Sequence, residues 1–190
     1  MTKVYLVRHG PTHAKTMVGW SDLPADLSDT AQLARLSAYL PDDAVVISSD
    51  LIRASATADA IAGNRLRLPH ARGLRELHFG AWELQAFDRV DDPDRLRAFW
   101  DQPGDARAPG GESWNDLRAR VDATLTDVIG QHPKRPVIAV AHMGAILTQV
   151  QRALRVSAYD AFSHKISNLS VTEVQYRTGA WHAEKINHHP

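Results

Sequence analysis

The chain has 190 residues, 22 basic and 22 acidic, so its formal charge is zero, and 44% of its residues are hydrophobic. Balanced charge supplies no global field to recruit nucleic acid or an anionic membrane, so any anion site has to be local. There is no cysteine, which excludes disulfides, cysteine nucleophiles and thiolate zinc sites.

A length of 190 residues suits one domain with a sizeable core, and a single domain over 1–190 is expected. The apolar run Val4-Tyr5-Leu6-Val7 before Arg8 is too short for a signal peptide. No stretch approaches the roughly 20 apolar residues that span a bilayer. A cytoplasmic protein with no membrane or nucleic-acid partner is the expectation.

In chain order, residues 3–7 are short, apolar and rich in β-formers, which predicts a buried strand. That strand runs into Arg8-His9-Gly10: a cation, an imidazole, and a glycine that permits close backbone approach. Leu33, Leu36 and Leu40 recur at helical spacing, predicting a helix over about 29–40 with Ser28 as its N-cap. Pro41-Asp42-Asp43 turns the chain into a second strand over 44–48. Residues 51–62 are alanine-rich and helical, with Gly63 where a C′ glycine belongs.

The segment 84–111 carries Asp91-Asp92-Pro93-Asp94 and Pro103-Gly104-Asp105 around a short helical piece near 95–100, with nothing strand-like in it. It reads as an insertion over the domain, either a surface loop or a small helical lid. Trp114, Leu117, Val121, Leu125 and Val128 predict an amphipathic helix capped by Ser113 and closed near Gly130. A strand over 137–141 ends in His142-Met143-Gly144, and a helix follows near 145–154. Residues 170–176 and 180–186 form a terminal strand pair turned at Thr178-Gly179. Strands alternating with helices predict a three-layer α/β sandwich with a mainly parallel central sheet.

Open α/β sheets bind ligands beyond the carboxyl ends of their strands. Arg8 and His9 follow the first strand, Arg53 lies a few residues beyond the second, and His142 follows a later one. Alone, a histidine is usually structural and an arginine usually solvated. Four such side chains from three places, all meeting at one sheet edge, describe a phosphate site. Gly10-Pro11-Thr12-His13-Ala14-Lys15-Thr16 is not a nucleotide P-loop. It lacks the second glycine and has a proline where amides should cradle phosphate. The ten histidines show no H-E-x-x-H or similar zinc-ligand spacing, so neither a metal nor a cofactor is expected.

Arg8-His9-Gly10-Pro11-Thr12 resembles the opening R-H-G-x-T of the histidine phosphatase superfamily, the group that includes the cofactor-dependent phosphoglycerate mutases. The run from Ser48 to Ala54 with Thr57-Ala58 resembles its second arginine motif, and Leu74 to Glu83 its acid-bearing segment. Gly110-Gly111-Glu112-Ser113 and Ala141-His142-Met143-Gly144 complete the set in the family's order. The resemblance implies a phosphoglycerate mutase-like fold and phosphoryl chemistry. His9 would attack phosphorus and carry a phosphohistidine, splitting one hard displacement into two easier ones. Its other nitrogen would need a hydrogen bond, such as one to a backbone carbonyl. Arg8 and Arg53 would bind the phosphate oxygens, with a protonated His142 adding charge in the transition state. Glu76 would protonate the leaving alkoxide and then activate water. A salt bridge from Glu76 to Arg72 or Arg75 is the competing, structural reading.

Thr12, Lys15 and the backbone N–H of Met143 are the further substrate-binding candidates. Trp82, Glu83, Glu112 and Ser113 read as structural, and Asn168 as a residue that holds a catalytic group in place. The chain departs from the family at Pro11, often acidic there, at Lys15, where an asparagine is common nearby, and at Leu84, often glycine. His13 and Lys15 either bind a second anionic group or belong to a solvated loop. The reading is a metal-independent hydrolase of a small phosphomonoester. The alternatives are a mutase-type phosphotransferase, a phosphoprotein (phosphohistidine) phosphatase and a non-catalytic phospho-ligand sensor.

Overall fold

A computed structural model describes residues 2–190. Its first half contains β1 (Thr2–Arg8), α1 (Thr30–Tyr39), β2 (Val45–Ser48), α2 (Ile52–Ala62) and β3 (Leu66–Arg67). There follow α3 (Pro93–Asp101), α4 (Trp114–Gln131), β4 (Val137–Ala141), α5 (Met143–Leu154), α6 (Ala158–Ala161), β5 (Val171–Arg177) and β6 (Ala180–His188). The strands form one sheet in the order β3-β2-β4-β1-β5-β6. Its β3-β2-β4-β1 part is parallel, whereas β5 and β6 run antiparallel at the far edge. The mostly parallel α/β sheet is the expected architecture.

Successive strand side chains point to opposite faces, and here both faces are covered. Val4, Leu6, Val45, Ile47, Val137 and Ala139 pack beneath α4 and α5. Val7, Val46, Ile138 and Val140 meet Leu33, Leu36, Ala54 and Ile61 of α1 and α2. A strand buried on both faces reads as a continuous apolar run rather than an alternation. That is why β1, β2 and β4 are legible in sequence.

The boundaries differ from expectation in instructive places. Asp29, not Ser28, caps α1, because its carboxylate accepts the Gln32 N–H at 2.9 Å. Helix α5 begins at Met143, two residues before the expected start, which leaves His142 as its extended N-cap residue. The apolar pattern hid this because Gly144 is buried without a side chain to show it. Neither β3 nor α6 was expected; two and four residues are too few to show a period. Helix α3 is longer than its apolar piece because Asp92 caps it and Pro93 opens its first turn. The turn between β5 and β6 has φ 51° at Thr178 and φ 80° at Gly179, the pair of positive values a two-residue hairpin turn requires. Among the described residues, no helix is long and apolar enough to cross a membrane.

Candidate active site

Parallel register builds the site. Arg8 pairs with Ala141, so the next residues, His9 and His142, leave the sheet side by side with ring centroids 5.0 Å apart. The His9 backbone is held from both sides. Its N–H donates to the Ala141 carbonyl at 3.1 Å, and its carbonyl accepts from Asn168 Nδ2 at 2.8 Å, the holding role expected of Asn168. The Gly10 N–H donates to Thr57 Oγ1 at 3.0 Å, and that hydroxyl donates to the Arg53 carbonyl at 2.7 Å. A Cβ on Gly10 would lie 2.6 Å from Leu27 Cδ2 and 3.1 Å from the Asp26 carbonyl, so a larger residue here would have to push the Leu27 side chain aside.

The imidazole of His9 has a defined tautomer. Nδ1 lies 2.6 Å from the Gly10 carbonyl; a carbonyl only accepts, so Nδ1 carries the proton and Nε2 holds the lone pair. Burial, helped by the Arg53 charge and opposed by the Gly10 hydrogen bond, pushes the His9 pKa down to about 3. His9 is therefore neutral at neutral pH, the state a nitrogen nucleophile needs.

His142 is fully buried, and neither ring nitrogen has a partner among the described residues. Burial first, then the neighbouring His9, Arg53, Arg120 and Arg8, hold its pKa well below the usual histidine range. His142 is thus neutral in the free protein; the expected charge on it belongs to the transition state. An imidazolium there would be stripped of water and crowded by positive charge.

Arg53 is 1% exposed and held in three directions. Its Nε points at His9 Nε2 at 3.3 Å, while Nη1 and Nη2 donate to the carbonyls of Ser21 and Gly19 at 2.8 and 2.6 Å. Glu83 clamps that same loop by accepting from the N–H groups of Gly19, Trp20 and Ser21 and from the Ser21 hydroxyl. The structural reading of Glu83 holds, but it understated how near that scaffold lies to the chemistry. Arg8 donates from Nη1 to the Ile166 carbonyl at 2.5 Å, and its buried Nε has no partner among the described residues.

Glu76 is buried and makes no bridge to either arginine. Arg75 pairs with Asp50 at 2.7 Å, and the Arg72 guanidinium lies over the Trp20 ring at 5.0 Å. The Glu76 carboxylate accepts from the N–H of Leu77 at 2.9 Å and of Gly144 at 3.0 Å. Its carbonyl takes the Trp20 indole N–H at 2.8 Å and Arg120 Nη2 at 2.7 Å. Trp20 and Arg120 were missed in sequence. Each lies on a segment with no motif of its own, and only folding brings them to Glu76.

These groups face a cavity of about 210 Å3. Arg8, His9, Arg53, Glu76, Thr12 and Met143 line it. His142 adjoins it through the His9 ring. Lys15 is exposed and lies outside that lining. His13 is engaged by Asp26 at 2.8 Å, so neither cation of this loop enters the cavity. Segment 84–111 supplies Phe87 and Trp100 to the wall. Among the described residues, no three His, Asp or Glu side chains cluster as a metal site.

The profile of the histidine phosphatase superfamily (branch 1) matches residues 4–189. The chain is 30% identical over 191 residues to a protein named "Probable phosphoglycerate mutase GpmB" from Enterobacter sp. (strain 638), covering 95% of this chain and 88% of that one. Among solved structures, Bacillus stearothermophilus YhfR superposes with a TM-score of 0.87 at 27% identity, covering 97% of this chain and 96% of the other. A phosphoserine phosphatase mutant from Entamoeba histolytica, solved with phosphoserine, shares the fold with a TM-score of 0.87 at 22% identity over 98% and 97% of the two chains. A match spanning nearly every residue, on a fold that brings Arg8, His9, Arg53 and His142 together, leaves one conclusion: the chain belongs to the histidine phosphatase superfamily, branch 1.

Proposed function

We propose that this enzyme hydrolyses a small phosphomonoester through a phosphohistidine on His9, without a metal ion. The observation that carries the reading is the neutral His9, its Nδ1–H tied to the Gly10 carbonyl and its Nε2 lone pair beside Arg53. Nε2 attacks phosphorus in line with the ester oxygen. Arg8 and Arg53 bind the equatorial oxygens with two permanent charges. The N-terminus of α5 supplies the Met143 N–H and its dipole at the same place. The dianion offsets the positive surroundings that keep His142 neutral, so His142 gains a proton as phosphate binds and donates to it.

Glu76 gives a proton to the departing alkoxide. It then takes one from the water that cleaves the phosphohistidine, returning His9 and releasing phosphate. Its position at the cavity wall, with the carboxylate oriented by two backbone N–H groups, suits a group that must reach the ester oxygen. Thr12 at the rim contacts the ester portion. Lys15 has no place in this scheme, and segment 84–111 covers the cavity as a lid.

Phosphoryl transfer between two positions of one substrate is the second reading, favoured by the name of the mutase-like relatives. Against it, the lysines and arginines lining the cavity are only Arg8 and Arg53, too few to hold a bisphosphorylated intermediate. The test is hydrolysis of p-nitrophenyl phosphate with EDTA present, beside His9→Ala, with acid quenching to trap an acid-labile phosphoenzyme. EDTA-resistant turnover lost with His9 supports hydrolysis. Interconversion of phosphoglycerates without phosphate release supports the mutase.

A further inference from the structure

We propose that the alcohol released from the substrate carries an aromatic ring or similarly flat apolar face and no second anionic group, and that Phe87 and Trp100 set this preference. This deepens the hydrolase reading of the same cavity and rests on it. The cavity lining joins Arg8, His9 and Arg53, the phosphate-binding groups of that reading, to polar Thr12, Thr16 and Glu76 and to apolar Met17, Phe79, Phe87 and Trp100.

The apolar wall is a run of rings rather than scattered side chains. Phe79 and Phe87 stand 6.0 and 5.9 Å from Trp100, which is backed by Phe99 at 5.0 Å and Phe162 at 5.5 Å. Trp100 is therefore fixed from behind. Phe87, 56% exposed, extends the wall to the cavity mouth. Aromatic pairs favour centroid separations of 4.5–7 Å, so a substrate ring fits into this series with the geometry its members already use.

The charges argue the same way. Arg8 and Arg53 are committed to the phosphate, His13 is paired with Asp26, and Lys15 stands outside. A carboxylate or second phosphate pressed against this wall would lose its hydration and find no cation there, only the Thr12 and Thr16 hydroxyls and the Trp100 indole N–H, unpartnered among the described residues. Lys165, with His164, lines a separate depression that shares Arg8 and Met143 with the cavity. An anionic tail reaching over Met143 to Lys165 is the rival arrangement.

The experiment compares kcat/KM for 2-phenylethyl phosphate, O-phosphoserine and 3-phosphoglycerate in the wild type, Phe87→Ala, Trp100→Leu and Lys165→Ala. All three substrates release alkyl alcohols, so the ranking does not simply follow leaving-group acidity. Phenylethyl phosphate is expected to exceed the others by about tenfold or more, the scale of burying one ring. Phe87→Ala and Trp100→Leu are each expected to cut that ratio several-fold. Phe87 is exposed and its removal leaves the core intact; thermal unfolding checks Trp100→Leu. A preference for phosphoserine or phosphoglycerate that Lys165→Ala removes would overturn the inference. An equal fall for all substrates in Phe87→Ala would also overturn it. Failure to hydrolyse these and p-nitrophenyl phosphate as well would instead overturn the hydrolase reading itself.

Discussion

Arg53 places its Nε 3.3 Å from Nε2 of His9 and gives one N–H of each terminal nitrogen to the carbonyls of Ser21 and Gly19, leaving two donors free. One guanidinium thus joins the nucleophile to the loop beside it. A lysine has one head group and no planar fork, so it cannot make these three contacts. Arg53→Lys is expected to lower kcat about 10²–10³-fold, the scale of losing one preorganised transition-state donor. Steady-state kinetics with p-nitrophenyl phosphate checks it; near-wild-type turnover would show that only charge matters here.

Glu83 reaches Arg53 through that loop. Burial pushes the Glu83 carboxyl up, but the Ser21 hydroxyl and the N–H groups of Trp20, Phe79 and Gly19 outweigh it and hold the pKa below the ordinary value. Glu83→Ala leaves those donors unpaired. A loss of about 3 kcal/mol in urea unfolding is expected, together with a raised KM as Arg53 loosens. A stability loss with KM unchanged would separate the clamp from the site.

Gly144 is where the backbone meets Glu76. A Cβ there would lie 2.4 Å from Glu76 Oε1, and the carboxylate would have to leave the Gly144 N–H it now accepts from at 3.0 Å. Gly144→Ala is expected to lower kcat about 10²-fold, the scale of general acid–base catalysis. The melting temperature should change little, because a side-chain end moves rather than the helix. Unchanged kcat would remove Glu76 from the acid–base role.

Both site histidines have folded pKa values below their unfolded value near 6.5, His9 at about 3 and His142 well below the ordinary range. Below about pH 6.5 the unfolded chain takes up protons that the folded chain refuses. Stability is therefore full above that pH and falls as pH drops towards the folded values. Each histidine contributes up to about 1.4 kcal/mol per pH unit of that slope. Urea unfolding between pH 7.5 and 5 checks this, and His142→Asn should shallow the dependence.

Sulfate, dianionic throughout this range, probes His142 directly. Its binding between Arg8 and Arg53 is expected to draw up to about one proton from solution as His142 charges. Calorimetric titration in two buffers of different ionisation enthalpy measures that proton. Identical heats would mean that His142 stays neutral in the complex.

How much was legible follows from how each residue earns its place. Arg8-His9-Gly10 and His142-Met143-Gly144 are local motifs behind apolar strands buried on both faces, so sequence shows both the residues and the ends they occupy. Arg53 is equally visible, one residue into a helix. Trp20, Arg120 and the loop-clamping role of Glu83 carry no such mark. Their value is a hydrogen bond to a carbonyl or amide 44 to 64 positions away, and such spacing leaves no period to read. Lys15, a cation near the motif, is exposed and outside the cavity lining, in keeping with the solvated-loop alternative.

The chemistry of this protein was decided by the sequence itself. The nucleophile, two fixed cations and general acid of the proposed mechanism are side-chain identities, and strand-end motifs place most of them at one edge. Protonation and selectivity belong to the tertiary structure alone. His142 is neutral because burial and three arginines from three elements surround it. The cavity has aromatic rings in its wall because segment 84–111 brings Phe87 and Trp100 to it. Desolvation and field depend on everything nearby in space, and the linear order of residues does not record that.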